Sequence, residues 1–143
     1  MKVLLFLVMS IALLACGNAK KSASEKMSTP KAILGEIDQN APTAQINSVR
    51  IEGNLMFLEV SYSGGCEEQA FTLIGSNMIM KSLPPKRGIR LQRDPKGDAC
   101  RELVSKSLVF DISNLAYKQE AGSEIVLLLD GYKEEVKYTF TQE

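Results

Sequence analysis

Cysteines and paired glycines carry most of the chemistry open to this chain. Gly64-Gly65-Cys66 ends a strongly patterned stretch, and Cys100 follows 34 positions later beside further turn residues. Two such thiols can pair, hold a metal as thiolates, or cycle between redox states. Metal or redox use would favour a CxxC spacing or histidine co-ligands, and the chain has neither. Glu67, Glu68 and Gln69 follow Cys66 directly. Paired glycines at Gly64 and Gly65 let a backbone approach a ligand closely, and adjacent carboxylates could bind a cation. Adjacent residues on an extended chain point apart, however, so Glu67 and Glu68 read more simply as part of a solvated turn.

The absence of histidine narrows the functional classes. It removes Ser-His-Asp and Cys-His catalysis, the HExxH zinc site and imidazole metal ligands. Ser63-Gly64 lacks the GxSxG elbow, and no carboxylate spacing points to a glycosidase. The chain is therefore read as non-enzymatic, with no cofactor and no resident metal. Lys+Arg and Asp+Glu both total 17, which argues against a nucleic-acid partner. One local cationic stretch stands out: Lys81, Lys86, Arg87, Arg90, Arg93, Lys96 and Arg101. It could meet an anionic partner, but Asp94 and Asp98 offset it and a solvated rim is the plainer reading.

The N-terminus reads as an address. Met1-Lys2 supplies a positive charge, and residues 3–14 are apolar apart from Ser10. That run is too short to span a bilayer, which needs about 20 residues, and it suits the core of a signal peptide. It ends in Leu13-Leu14-Ala15-Cys16-Gly17, which resembles a bacterial lipobox with cleavage before Cys16. The expectation is a signal peptide over 1–15 and a lipid-anchored flexible tether over 16–45. A disulfide-bonded β domain then fills 46–143. Acyl chains on Cys16 would give stable membrane anchoring. Gly17 is not the aspartate associated with inner-membrane retention, so the cell envelope, and the outer membrane within it, is the expected location. The face is undetermined. With Cys16 acylated in an oxidising compartment, Cys66 and Cys100 are left as a pair, which favours a disulfide.

The elements that must position these residues are strands. The tether is thin in apolar residues, with Ala32-Ile33-Leu34 expected at most to touch the domain or make a short turn. Ile46, Val49 and Ile51 lead to a hairpin-type turn at Glu52-Gly53-Asn54. Residues 55–62 alternate, with Met56, Leu58, Val60 and Tyr62 on one face. Further strand-like runs lie at 71–74, 88–93 and 103–112, with Leu83-Pro84-Pro85 as an interruption. Residues 113–119 suit one helical turn capped by Ser113 or Asn114. Residues 124–129 and 132–141 predict a hairpin closed by Asp130-Gly131. The expected fold is all-β: an antiparallel β-sandwich or small barrel of about seven or eight strands.

Tyr62-Ser63-Gly64-Gly65-Cys66, Phe71 five positions after the cysteine, and Gly97-Asp98-Ala99-Cys100-Arg101 together resemble a group of uncharacterised bacterial lipoproteins. These share a strand ending in GGC and a later D-x-C turn. The resemblance covers roughly residues 55–129 and implies no particular activity. Its members often carry histidine where this chain has Gln69, so a structural role for that position is implied. The sequence thus predicts an envelope lipoprotein that binds an envelope protein or plays a structural part. The alternative is an inhibitor or small-ligand module. In either case Gly64, Gly65, Glu67, Glu68, Gln69 and Arg101 form the candidate binding loops around the disulfide.

Overall fold

Hydrophobic alternation along the chain becomes eight strands in the computed structural model, which describes residues 28–142. The signal-peptide stretch 1–15, Cys16 and the first part of the tether lie outside the described residues. The strands are β1 (Ile33–Gly35), β2 (Gln45–Glu52), β3 (Leu55–Gly64) and β4 (Ala70–Ser76), followed by β5 (Lys86–Asp94), β6 (Glu102–Asp111), β7 (Glu124–Leu129) and β8 (Val136–Thr139). They form two open sheets, in the order β2-β3-β6 and β1-β4-β5-β7-β8. In β3, Met56, Leu58 and Val60 are buried while Glu59 between them is exposed, as a period of two requires. The β2–β3 connection is the tight turn expected, with Glu52 paired to Leu55 and Gly53 at a φ of 57°.

Both sheets contribute to one buried cluster. Met56, Leu58, Val60 and Phe110 come from the smaller sheet, and Leu73, Ile89, Leu91, Ile125 and Leu127 from the larger. Full burial of each such side chain is worth about 1.5–3 kcal/mol relative to exposure. Tyr138 of β8 is also buried, and its hydroxyl donates to Asn54 Oδ1 at 2.8 Å. Burial, with the nearby Asp111 charge second, pushes the Tyr138 phenol up to about 12.

Four expectations are corrected by this arrangement. The larger sheet is mixed rather than antiparallel, because β1 runs parallel to β4 and β5 parallel to β7. Between β5 and β7 the chain leaves for β6 in the other sheet and returns through a 3-10 turn at Ser113–Leu115. A connection of that length can set a strand down parallel, which a tight hairpin cannot. The Asp130-Gly131 hairpin is also wider than expected. Leu127 pairs with Val136, so residues 128–135 lie between the last paired positions. Asp130 N–H instead donates to Ile89 O at 2.9 Å, which ties that corner to β5. The 3-10 turn has no side-chain cap from Ser113 or Asn114. Asp111 Oδ1 accepts the Ser113 N–H, and the Asn114 amide donates to Ala32 O.

The fourth correction concerns the tether. From Pro30 onward the supposed spacer is part of the fold: Ala32 is fully buried and its N–H donates to Asp111 O at 2.8 Å. The segment has few apolar side chains, so its order comes from elsewhere in the chain. Arg90 donates to the carbonyls of Gln39 and Ala41, at 3.1 and 3.0 Å. Arg93 Nε donates to Thr43 O at 3.1 Å, and its backbone N–H to Pro42 O at 2.8 Å.

Candidate functional site

β3 ends at the Gly-Gly-Cys corner, where the two glycines do different jobs. Gly65 adopts a φ of 114°, which an L side chain rarely accepts. Gly64 has no such φ. Its missing side chain makes room, since a Cβ there would lie 2.3 Å from Gln69 Nε2 and 2.7 Å from Asp98 Oδ2. Into that space comes Asp98. Its Oδ2 accepts the N–H groups of Gly65 and Glu67, at 3.0 and 3.3 Å, and the Gln69 amide at 3.0 Å. Its Oδ1 accepts Cys100 N–H at 2.9 Å. The Gln69 amide is the main cause that holds the Asp98 carboxyl down to about 2, and the Cys100 N–H is next. Hydrogen bonds to the charged form favour it.

Gln69 itself is only 3% exposed. Its Nε2 also donates to Ser63 O at 3.3 Å, and its Oε1 accepts from Arg93 Nη1 at 2.7 Å. Arg93 further donates to Ser63 O at 3.2 Å and lies 5.7 Å from the Tyr62 ring centroid. Cys66 and Cys100 are joined by a disulfide across the same corner, with Cα atoms 5.8 Å apart. Ligand atoms of Cys66, Asp98 and Cys100 lie within 4.8 Å of one another. The sulfurs are bonded together and the carboxylate is spent on N–H donors, so the set acts as a clasp.

The structure thus brings Gly64, Gly65, Gln69, Cys66 and Cys100 together. Glu67 contributes its backbone N–H. Glu68 instead approaches Lys106 at 3.6 Å, so the two carboxylates do not form a shared pair. Arg101 is exposed and makes no ion pair among the described residues. Asp98 and Arg93 are the members the sequence reading missed. The D-x-C spacing was the signal for Asp98, and Arg93 was hidden among residues read as a cationic rim. That rim is not one surface. Arg87 is buried, donating from Nε to Leu115 O at 3.1 Å and from Nη1 to Ser76 O, and burial lowers its pKa. Arg90 pairs with Asp130, Lys86 with Glu135, and Lys96 with Asp94.

A second feature lies at the other end of β4, some 23 Å away at about 3.3 Å per residue. Loop 77–85 joins β4 to β5 and exposes Met78 (80%), Met80 (51%) and Leu83 (99%). Tyr117, half exposed, stands beside it. Ile79, Lys81, Ser82, Leu83, Pro85 and Tyr117 line a groove of about 510 Å³ there. The loop is held at its base. Met80 and Lys86 exchange backbone hydrogen bonds at 2.8 and 3.1 Å, and Ser82 Oγ donates to Pro84 O at 2.7 Å. Sequence reading marked Leu83-Pro84-Pro85 as an interruption and counted Lys81 in the cationic stretch, but gave the loop no role. The clue was an apolar content too high for a solvated loop.

No family model matches the chain, and no curated protein matches it. Among solved structures the fold is similar to that of a NigD-like immunity protein from Bacteroides caccae. The TM-score is 0.55 at 13% identity, over 78% of this chain and 63% of that one. It is also similar to a protein of unknown function from Bacteroides vulgatus, with a TM-score of 0.51 at 18% identity, over 80% of this chain and 58% of that one. The chain therefore spans less than two thirds of either protein. The likeness is one of fold, an all-β chain of two sheets.

The disulfide has a direct check. Thiol labelling without reductant is expected to find no free thiol at Cys66 or Cys100, and labelling at those two positions would disprove the pairing.

Proposed function

We propose that this chain is a non-enzymatic lipoprotein of the cell envelope. Acyl chains on Cys16 anchor it, with the outer membrane as the favoured location, and its two sheets pack as a β-sandwich. It is a binding module, and its contact surface is loop 77–85 with Tyr117. The observation that carries this reading is the exposure of Met78, Met80 and Leu83 on a loop pinned by its own hydrogen bonds. Large apolar side chains held out in water at one place mark an interaction site. At the Gly-Gly-Cys corner, by contrast, the Asp98 carboxylate and the Gln69 amide are satisfied internally, which leaves that corner an architectural role. An immunity role, like that in the name of the Bacteroides caccae protein, is one use such a surface would serve.

The test is site-specific photo-crosslinking in the native envelope. A photoreactive residue at position 83 is expected to give a discrete adduct, and the same residue at position 96 none. Absence of any adduct at 83, or equal adducts at both positions, would sink this assignment of the surface.

A further inference from the structure

Four strands lie at the edge of a sheet, and three of them are blunted. β1 has three residues and β8 four. β2 carries a register shift between Ile46 and Ser48, and the charges of Arg50 and Glu52. Short length, bulges and charge are the ways an edge avoids a further strand. β6 is different. It is ten residues long, pairs with β3 in unbroken register, and between Glu102 and Asp111 carries one charge, Lys106. Leu103 stands 81% exposed near its start.

The open side of β6 can be assigned residue by residue. Ile112 N–H donates to Asn54 O, on the β3 side, whereas Asp111 N–H donates to Pro30 O on the other. Alternation then turns the main-chain groups of Leu103, Ser105, Ser107 and Val109 away from β3. Among the described residues none of these groups has a hydrogen-bond partner. The chain's own N-terminal segment touches this edge only at the Lys31–Asp111 bridge. Pro30 has no N–H to give Val109 O, so that bridge stops there. Charges along the edge are also underused. Arg101 and Glu59 form no ion pair among the described residues, and Glu59 instead accepts from Ser107 Oγ at 2.7 Å. Lys106 reaches only Glu68, a highly exposed side chain, at 3.6 Å.

We infer that β6 pairs antiparallel with β6 of a second copy of this chain, about a two-fold axis at Val104. In that register Leu103 faces Ser105 of the second copy and Arg101 faces Ser107, and each such outward-facing pair exchanges two hydrogen bonds. Glu102 stands opposite Lys106 of the second copy, and symmetry repeats the pair. The two Leu103 side chains become diagonal neighbours, within reach of each other, and cover one another from water. Arg101 of the second copy, above Ser107, faces the Glu59 carboxylate beside it. An axis at Lys106 would set the two lysines opposite each other, which is unfavourable, and one at Ser105 would set Glu102 against Leu108. Exposed ion pairs add little affinity, so the backbone bonds and the leucines hold the pair and the charges select its register. The small sheets of the two copies join into one, in the order β2-β3-β6 and its two-fold repeat. The pairing rests on neither the proposed anchor nor loop 77–85.

The full chain carrying Val104→Cys is oxidised mildly in its own envelope and run on non-reducing gels. Opposed residues of a non-hydrogen-bonded pair lie about 4.5 Å apart at Cα, within the disulfide range. A covalent dimer is expected, several-fold more abundant than from Ser48→Cys on β2. Adding Glu102→Lys or Lys106→Glu to Val104→Cys is expected to lower the yield several-fold. Coexpressing these two charge variants with distinguishable tags is expected to restore a mixed dimer, because each lysine again meets a carboxylate. No dimer at 104, or equal yields at 48 and 104, overturns the pairing. A dimer that neither charge variant lowers overturns the register, and with it the reason for choosing a second copy. A photoreactive residue at position 103 identifies any other occupant. An adduct to a different protein, or to residues 16–27 of the same chain, without a dimer at 104 gives the edge to that occupant and overturns the second copy.

Discussion

Replacing Cys66 and Cys100 together by serine is expected to lower the stability of the domain by about 3–4 kcal/mol without releasing the Gly-Gly-Cys corner. The disulfide closes a loop with a sequence separation of 34. In the chain-entropy account, its stabilisation comes from restricting the unfolded chain. Against a total of roughly 5–15 kcal/mol, that loss leaves most molecules folded at room temperature. The melting temperature should fall by roughly 10–20 °C for a domain of this size. The folded corner keeps a second fastening. Asp98 bonds to the backbone N–H groups of Gly65, Glu67 and residue 100, and none of these bonds needs a sulfur atom. Urea denaturation should therefore show a lower midpoint with an intact transition. Amide exchange at positions 65, 67 and 100 should stay slow under native conditions. Fast exchange at those amides in a folded double-serine protein would show that the disulfide, not Asp98, holds the corner.

Much of this construction could be read in the chain before its fold was known. The alternation in β3 puts Met56, Leu58, Val60 and Tyr62 on one face, and the first three are buried there with Tyr62 partly so, since a half-covered strand writes its environment into a period of two. Cysteine parity gave the Cys66–Cys100 pair. Gln69 stood both among the candidate binding loops and, through the resemblance, as a structural position; it is buried inside a hydrogen-bond network. What was illegible depends on distant residues. Ile33 and Leu34 look like spacer because their strand partners, Ile74 and Gly75, lie some forty positions on. Arg90 and Arg93 look like a solvated rim because the carbonyls they satisfy belong to residues 39–43 and 63. Parallel pairing of β5 with β7 depends on the excursion through the other sheet, which no local pattern encodes. Asp130-Gly131 is a favourable hairpin pair, yet the backbone bond from Asp130 to Ile89 draws that turn out of the two-residue form.

Gly64→Ala is expected to destabilise the domain by about 1–3 kcal/mol through crowding and through a buried Gln69 amide left short of partners. The added methyl would fall 2.3 Å from Gln69 Nε2 and 2.7 Å from Asp98 Oδ2. Both side chains are fixed by hydrogen bonds, so yielding means breaking the Gln69–Asp98 contact. Asp98 reports this directly. Its folded-state carboxyl is held at about 2, below its ordinary 3.8, with the Gln69 amide as the largest cause. Its contribution to stability is complete above pH of about 4 and is lost as the pH falls through about 2. In Gly64→Ala the Asp98 carboxyl should titrate closer to 3.8, so that loss should begin at higher pH than in the parent. Carbon-detected NMR titration of the side-chain carboxyl checks the shift. Gly65→Ala is the contrasting variant. It strains a backbone at a φ of 114° and brings a methyl to within 3.0 Å of Glu102, while leaving the Gln69–Asp98 contact in place. It should destabilise with little change in the Asp98 titration. If both variants move that titration equally, or neither moves it, then Gly64 is not there to make room, and the corner owes its two glycines to turn geometry alone.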